Sequence, residues 1–276
     1  MIDPQRLVSL PPQETRQTIS ARETILYALG VGETALPFVY EDGLKMLPTM
    51  AVTLAYPGFV WRDPAYGADW AKILHGETGI TIHAPLPAHG EFVGLSTFDS
   101  VADKGAAKGA IVRQTRRIYD GAGMLLATVR NASFLRGDGG CGSVGEPGNA
   151  PAPVPDRAPD LSLDLPTLPS QALIYRLSGD LNPLHIDPAV ATGAGFPRPI
   201  LHGLCTYGIA GRALLAALCE GDPARLRRMG ARFTSPVFPG ETIRTEIWRE
   251  GGRIAFRARV VERDLVVLDN GLAEIA

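Results

Sequence analysis

Two passages of this chain occur twice. Tyr27-Ala-Leu-Gly returns as Tyr175-Arg-Leu-Ser-Gly, 148 positions on. Pro85-Leu-Pro-Ala-His-Gly90-Glu91 returns as Pro236-Val-Phe-Pro-Gly240-Glu241 at an offset of about 150. An offset that large and that constant predicts two copies of one unit, each of roughly 100 to 150 residues and each able to bury a core. Residues 1–137 are expected to form the first copy and 166–276 the second, with 138–165 between them as a linker. Between Gly137 and Pro159, eleven of 23 residues are Gly or Pro, and so few large apolar side chains cannot offset the entropy of ordering the chain.

Within each copy the patterning predicts a helix, a buried helix and four strands. Residues 20–32 read as the first helix, with Ser20 and Glu23 as a capping box and Gly30 or Gly32 as the stop. Leu47 to Tyr56, opened by Pro48 and closed by Pro57-Gly58, reads as a short buried helix. Strands are expected at 77–84, 91–99, 108–119 and 124–135. In the second copy Asp187-Pro188 caps a short turn, and Gly203 to Cys219 is the long helix, apolar all round except Arg212. Strands follow at 229–237, 241–250, 253–262 and 265–275. In the third of these, Arg253, Arg257 and Arg259 alternate with Ile254, Phe256, Ala258 and Val260, giving one wet face and one on the helix. The fold class is α+β: a central helix wrapped by a curled antiparallel sheet, twice.

One stretch concentrates chemistry. Tyr175-Arg-Leu-Ser-Gly-Asp-Leu-Asn-Pro-Leu-His185 holds Asp180, Asn182 and His185 in a polar turn between Gly179 and Pro183, where side chains can converge on a small ligand. Asp180 and His185 suit proton transfer around one water; ordinary turn capping reads the same residues another way. Ile200-Leu-His-Gly203 leads straight into the long helix, and Gly203 leaves backbone N–H groups open at its start, for an incoming oxygen or for close packing. Read alone, His202 packs or caps beside Gly203, His75-Gly76 precedes a strand, Lys104-Gly105 is a surface turn, and His83 and His89 lie on the surface. The first copy has no counterpart of Asp180, Asn182 or His185.

Several classes are excluded. Charge is balanced, 27 basic against 29 acidic residues without a long single-sign run, so no nucleic-acid partner is expected. Cys141, Cys205 and Cys219 follow no metal or redox spacing, and a reducing cytoplasm is expected. The longest apolar segment, 203–219, is 17 residues and carries Arg212 and three glycines, too short and broken for a bilayer. No basic head followed by an apolar run opens the chain, so no signal peptide is expected. HExxH, paired CxxC, G-x-S-x-G and P-loop motifs are all missing.

Tyr-Arg-Leu-Ser-Gly-Asp-Leu-Asn-Pro-Leu-His-Ile-Asp-Pro followed by Pro-Ile-Leu-His-Gly-Leu-Cys-Thr-Tyr-Gly closely resembles the hydratase 2 motif of MaoC-like (R)-specific 2-enoyl-CoA hydratases. The resemblance extends to residues 27–32, 72–77, 103–105 and 231–233, and includes the hydratase 2 region of peroxisomal multifunctional enzymes of type 2. It implies a double hotdog fold. It implies Asp180 and His185 as the catalytic pair with Asn182 beside them, and Gly203 as the oxyanion-hole N–H. His75, Gly76, Lys104, Tyr175 and Phe233 match substrate-binding positions. The implied reaction adds water to trans-2-enoyl-CoA, reversibly, giving (3R)-3-hydroxyacyl-CoA. No cofactor is expected, because CoA belongs to the substrate; a homodimer is. The rivals are a dehydratase of acyl-carrier-protein or CoA thioesters, a thioesterase, and a non-catalytic acyl-CoA binding module.

Overall fold

The computed structural model describes residues 1–148 and 151–276. Among these residues ten antiparallel strands form one open sheet in the order β1-β3-β4-β5-β2-β7-β10-β9-β8-β6. They are β1 (Gln13–Ile19), β2 (Ile73–Ile82), β3 (Gly90–Asp103), β4 (Ala110–Asp120), β5 (Leu125–Leu135), β6 (Leu161–Pro166), β7 (Leu226–Phe233), β8 (Thr242–Glu250), β9 (Arg253–Val260) and β10 (Leu265–Ile275). Counted from its own first strand, each half of the sheet follows the same order, first-third-fourth-fifth-second. The halves meet antiparallel where β2 pairs β7, with Gly79 opposite Gly230. Those two glycines are 151 positions apart, 230 less 79, close to the offset of the repeated text. The duplication is therefore visible in the strand order as well as the sequence.

Among the described residues six α-helices accompany the sheet: α1 (Pro4–Ser9), α2 (Ala21–Gly30), α3 (Leu36–Val39), α4 (Gln171–Tyr175), α5 (Pro188–Gly193) and α6 (Gly203–Leu218). The capping box forms as expected, with the Ser20 N–H donating to the Glu23 carboxylate at 2.8 Å. Asp187 caps α5 by accepting from the Ala189 N–H at 2.8 Å. Ten residues of α6 are buried, as an apolar circumference requires. The first half differs from expectation. Leu47 to Tyr56 contains only a 3₁₀ turn, Pro48–Val52, although all five of its residues are buried. Pro48, Pro57 and the β-branched Thr49, Val52 and Thr53 leave too little room for α-helical turns. That turn packs on α6, against which β6, β7, β8 and β10 of the second half also lie. Gly208 and Gly211 make the fit possible: a Cβ there would meet Val31 Cγ1 and Thr49 Cγ2, each at 2.5 Å. Arg212, the charged exception on α6, reaches back to Glu33 at 3.1 Å and to the Val31 carbonyl at 2.9 Å.

One strand start moves and two strands are added. β2 begins at Ile73, so His75 and Gly76 lie inside the strand rather than before it. β1 and β6 are strands beyond those expected; β6 starts within the span expected as linker, ends one residue past it and pairs with β8. The first part of that span is tied down too. Asp138 is fully buried, accepting from the Ile2 N–H at 3.0 Å, and Val144 bridges to Val101. Positions 149 and 150 of the expected linker lie outside the described residues. On β9 the alternation holds, with Phe256, Ala258 and Val260 buried. Its wet face is ion-paired, Arg257 sitting 2.7 Å from Glu246.

Candidate active site

The loop after α4 is built by turn chemistry. Gly179 takes φ 116°, a left-handed value that favours glycine. Asp180 Oδ1 then accepts the Asn182 N–H at 3.1 Å, and Asn182 Oδ1 accepts the Leu184 N–H at 3.2 Å. Pro183 opens a single 3₁₀ turn, Pro183–His185. The capping reading of this stretch therefore holds, and the capping sets where Asp180 and His185 stand.

His185 is buried, and its Nδ1–H donates to the Ile200 carbonyl at 2.9 Å. A carbonyl only accepts, so the proton is fixed on Nδ1 and Nε2 keeps its lone pair. That Nε2 stands 4.0 Å from Asp180 Oδ2, on a carboxylate still 46% exposed. Burial lowers the His185 pKa, outweighing the Ile200 hydrogen bond and the Asp180 charge that raise it. His202 stacks on His185 with centroids 3.7 Å apart and planes 25° from parallel. Its Nε2–H donates to the Asp180 backbone carbonyl at 3.1 Å. Burial, then the neighbouring His185, holds His202 down to about 4. Both imidazoles are therefore neutral near pH 7. Asp180, His185 and His202 present ligand atoms within 4.8 Å of one another. Yet His202 Nε2–H is committed and its Nδ1 is sealed among protein atoms. An ion would find two free donors rather than three.

Gly203 is the residue after His202 and the first of α6. Its N–H makes no hydrogen bond among the described residues, and it sits at the positive end of a 16-residue helix. A Cβ at Gly203 would lie 3.2 Å from the Phe233 ring. Phe233, at the end of β7, also packs on His75 with ring centroids 4.8 Å apart. His75 Nε2–H donates to Thr78 Oγ1 at 2.7 Å, and Thr78 in turn donates to Asn131 Oδ1 at 2.6 Å. The β2–β5 register slips between His75 and Glu77, leaving Gly76 as the extra residue of a bulge. Bulges of this kind re-aim a neighbouring side chain. Phe233 thus links Gly203 of the second half to His75 of the first.

Two expected residues stand apart from this group. Tyr175, expected on the substrate, is buried at 2% exposure and packs on Tyr27 and His202. It backs the imidazole stack instead of facing a ligand, because α4 ends there and turns its ring inward. Lys104 is exposed on the β3–β4 turn, without an ion pair among the described residues. That turn lies at the end of the sheet where β2 begins, the end that carries His75.

Residues 151–270 match the MaoC like domain, and residues 18–137 match the MFE-2 hydratase 2 N-terminal domain. Over 92% of this chain and 91% of its own, a Mycobacterium tuberculosis protein named 3-hydroxyacyl-thioester dehydratase Y is 49% identical. The chain belongs to the MaoC-like hydratase 2 family. Another relative, the peroxisomal enoyl-CoA hydratase 2 of Arabidopsis thaliana, is 41% identical over 92% of this chain and 90% of its own. The crystal structure of a MaoC-like dehydratase from Phytophthora capsici superposes with a TM-score of 0.91 at 39% identity, over 99% and 98% of the two chains. A Mycobacterium tuberculosis protein described as having a double hotdog fold superposes at 0.60 and 16% identity over 96% of each chain. The fold of this MaoC-like chain is thus the expected double hotdog.

Residue types alone did not single out Thr78, Asn131 and Arg116 in this MaoC-like chain. They lie on strands whose alternation reads as ordinary sheet. His202, read as packing or capping, does pack, and its partner is the His185 ring itself. The signal was its place between Ile200, which accepts from His185, and Gly203.

Proposed function

We propose that the chain hydrates trans-2-enoyl-CoA to (3R)-3-hydroxyacyl-CoA and runs the same steps in reverse. The observation that carries this reading is the fixed tautomer of His185, whose unprotonated Nε2 stands 4.0 Å from the Asp180 carboxylate and whose ring stacks on His202, the residue before Gly203 with its unpaired N–H. Relatives named enoyl-CoA hydratase 2 support it.

In the forward direction, water sits between Asp180 and His185. Nε2 takes one proton as the oxygen bonds to C3, the π electrons move toward C1, and the thioester oxygen gains negative charge. The Gly203 N–H and the α6 dipole stabilise that oxyanion, an effect worth about 3 to 4 kcal/mol for one such donor. The proton then passes from His185, with Asp180 as relay, to C2, and the neutral imidazole is restored. Both new bonds form on the face that carries the pair, so addition is syn. Nδ1–H to Ile200 orients the ring throughout. Asn182 holds the loop, and its Nδ2 makes no hydrogen bond among the described residues. No metal or redox cofactor enters, and CoA arrives with the substrate.

The first half shapes the acyl site. A cavity of about 120 Å³, lined by residues of the first half alone, has His75, Asn131 and Ser133 along one wall. Phe233 and Gly76 set the position of His75, and Lys104 offers a free cation to the CoA phosphates. A cytoplasmic homodimer completes the reading, without nucleic-acid or membrane partners. Among the described residues, no helix is long and apolar enough to cross a membrane.

The 49% relative is named a dehydratase of 3-hydroxyacyl thioesters, which favours the reverse direction as the second reading. A chain-length series of enoyl-CoA and enoyl-carrier-protein substrates, followed by loss of enoyl-thioester absorbance with chiral analysis of the product, tests both. Formation of (3R)-hydroxyacyl-CoA supports the proposal. Binding without absorbance change, release of free thiol, or turnover of carrier-protein substrates only would overturn it.

A further inference from the structure

Arg116 on β4 is 4% exposed and lines the cavity just described. Both of its hydrogen bonds come from Nη2, to the Val52 carbonyl at 2.7 Å and the Ala51 carbonyl at 3.4 Å. Nε is buried with no partner, and Nη1 makes no hydrogen bond, among the described residues. The guanidinium lies over the Tyr56 ring, 5.1 Å from its centroid. Three other sheltered arginines differ. Arg212 is paired with Glu33, and Arg257 and Arg259 with Glu246. Arg116 alone of these four has no carboxylate. Desolvation pushes it down to about 10, so the group still carries its charge at neutral pH.

A buried, uncompensated cation costs several kcal/mol, of which two carbonyls and one aromatic face offset only a part. A second orphan donor sits beside it. Ser96 on β3 is directly opposite Arg116 in the β3–β4 register, and its hydroxyl is buried with no partner. Directly paired residues project to the same face of a sheet, and Ser96 also lines the cavity. His75, at the catalytic end, pairs through Ser133 to Val112, four residues before Arg116. Two strand spacings and four residues of rise place Arg116 about 16 Å from His75 along the sheet, and one further spacing places Ser96 about 20 Å away.

The geometry points to a second subsite for the acyl group: Arg116 and Ser96 receive an oxygen acceptor, a carboxylate or a ketone, carried by the acyl chain far from the thioester. This rests on the hydratase reading and adds the substrate class. The preferred substrate is an enoyl-CoA whose tail ends in an oxygen function, and a plain alkyl tail leaves both donors unsatisfied. An Arg–carboxylate pair formed there is charge-assisted and shielded from water.

Three trans-2-enoyl-CoAs of equal chain length, ending in methyl, ketone and carboxylate, test the subsite in wild type, Arg116→Met and Ser96→Ala. In wild type kcat/KM is expected to be at least about 10-fold higher for an oxygen-ended tail than for the methyl-ended one, the equivalent of one good polar contact. Arg116→Met is expected to invert that ratio, and Ser96→Ala, which leaves the cation in place, to reduce it. Thermal unfolding shows that each variant is folded. A wild-type preference for the methyl end, or a ratio unchanged in Arg116→Met and Ser96→Ala, would overturn the subsite. Saturated acyl-CoAs with the same three ends give a readout independent of turnover, through quenching of Trp61, which also lines the cavity. Arg116-dependent quenching without hydration of any substrate would retain the subsite and remove the hydratase. Hydration of the methyl-ended substrate with quenching indifferent to the tail would do the reverse.

Discussion

His202 holds Asp180 and His185 at once: its ring stacks on His185 at 3.7 Å, and its Nε2–H binds the Asp180 backbone carbonyl at 3.1 Å. The cap residue of the central helix therefore sets the spacing of the pair across the loop. His202→Phe preserves the stack and removes the N–H. It is expected to lower kcat about 10- to 100-fold, the usual cost of losing an orienting partner, with KM little changed. Steady-state kinetics checks this, and an unchanged kcat would show that the hydrogen bond positions nothing.

The imidazole stack also makes stability depend on pH. Burial, then His185, lowers His202 from 6.5 in the unfolded chain to about 4 in the folded one. The folded state thus binds fewer protons between those values, so the contribution is complete above 6.5 and is lost as pH falls toward 4. At full effect it amounts to about 3 kcal/mol. Urea unfolding at pH 7 and pH 4.5 measures it, and His202→Phe is expected to flatten the difference. Activity should show an acid limb below the ordinary histidine range, because only neutral His185 accepts a proton and its pKa is lowered by burial.

Gly203→Ala places a methyl group 3.2 Å from the Phe233 ring. The ring or the start of the helix has to shift, and the N–H moves with it. A loss of about 100-fold in kcat is expected, the range for one oxyanion donor, with only a modest change in thermal midpoint. Enzyme assays beside calorimetry separate the two, and loss of fold without prior loss of rate would assign Gly203 to packing alone.

Much of this molecule could be read from residues. Repeated text at a constant offset reappears as the same strand order in each half, and the apolar circumference of 203–219 reappears as the buried helix α6. Asp180, His185 and the helix start at His202-Gly203 were legible because turn residues and a helix start are local features that a sequence displays, and the His185–His202 stack joins them. What escaped was non-local or atypical. Gln13–Ile19 is a polar strand at the sheet edge, where no buried alternation develops. Leu161, Leu163 and Leu165 do alternate in β6, a signal masked by the Gly- and Pro-rich text before it. The helix expected over Leu47 to Tyr56 is instead the 3₁₀ turn Pro48–Val52, because its prolines and β-branched residues disfavour α-helical turns. Arg116 and Ser96 are twenty residues apart, and only the β3–β4 register makes them neighbours.

The measurement that bears most directly on the site is hydration of trans-2-enoyl-CoA by Asp180→Asn and His185→Gln. Both replacements keep side-chain volume close to the original while removing the carboxylate charge or the imidazole lone pair. With folding verified by circular dichroism, each variant is expected to lose at least about 1,000-fold in kcat, and the double variant to lose little more than the worse single one, because the two act as a unit. Near-normal rates in either folded single variant would contradict the assignment of water to the Asp180–His185 pair.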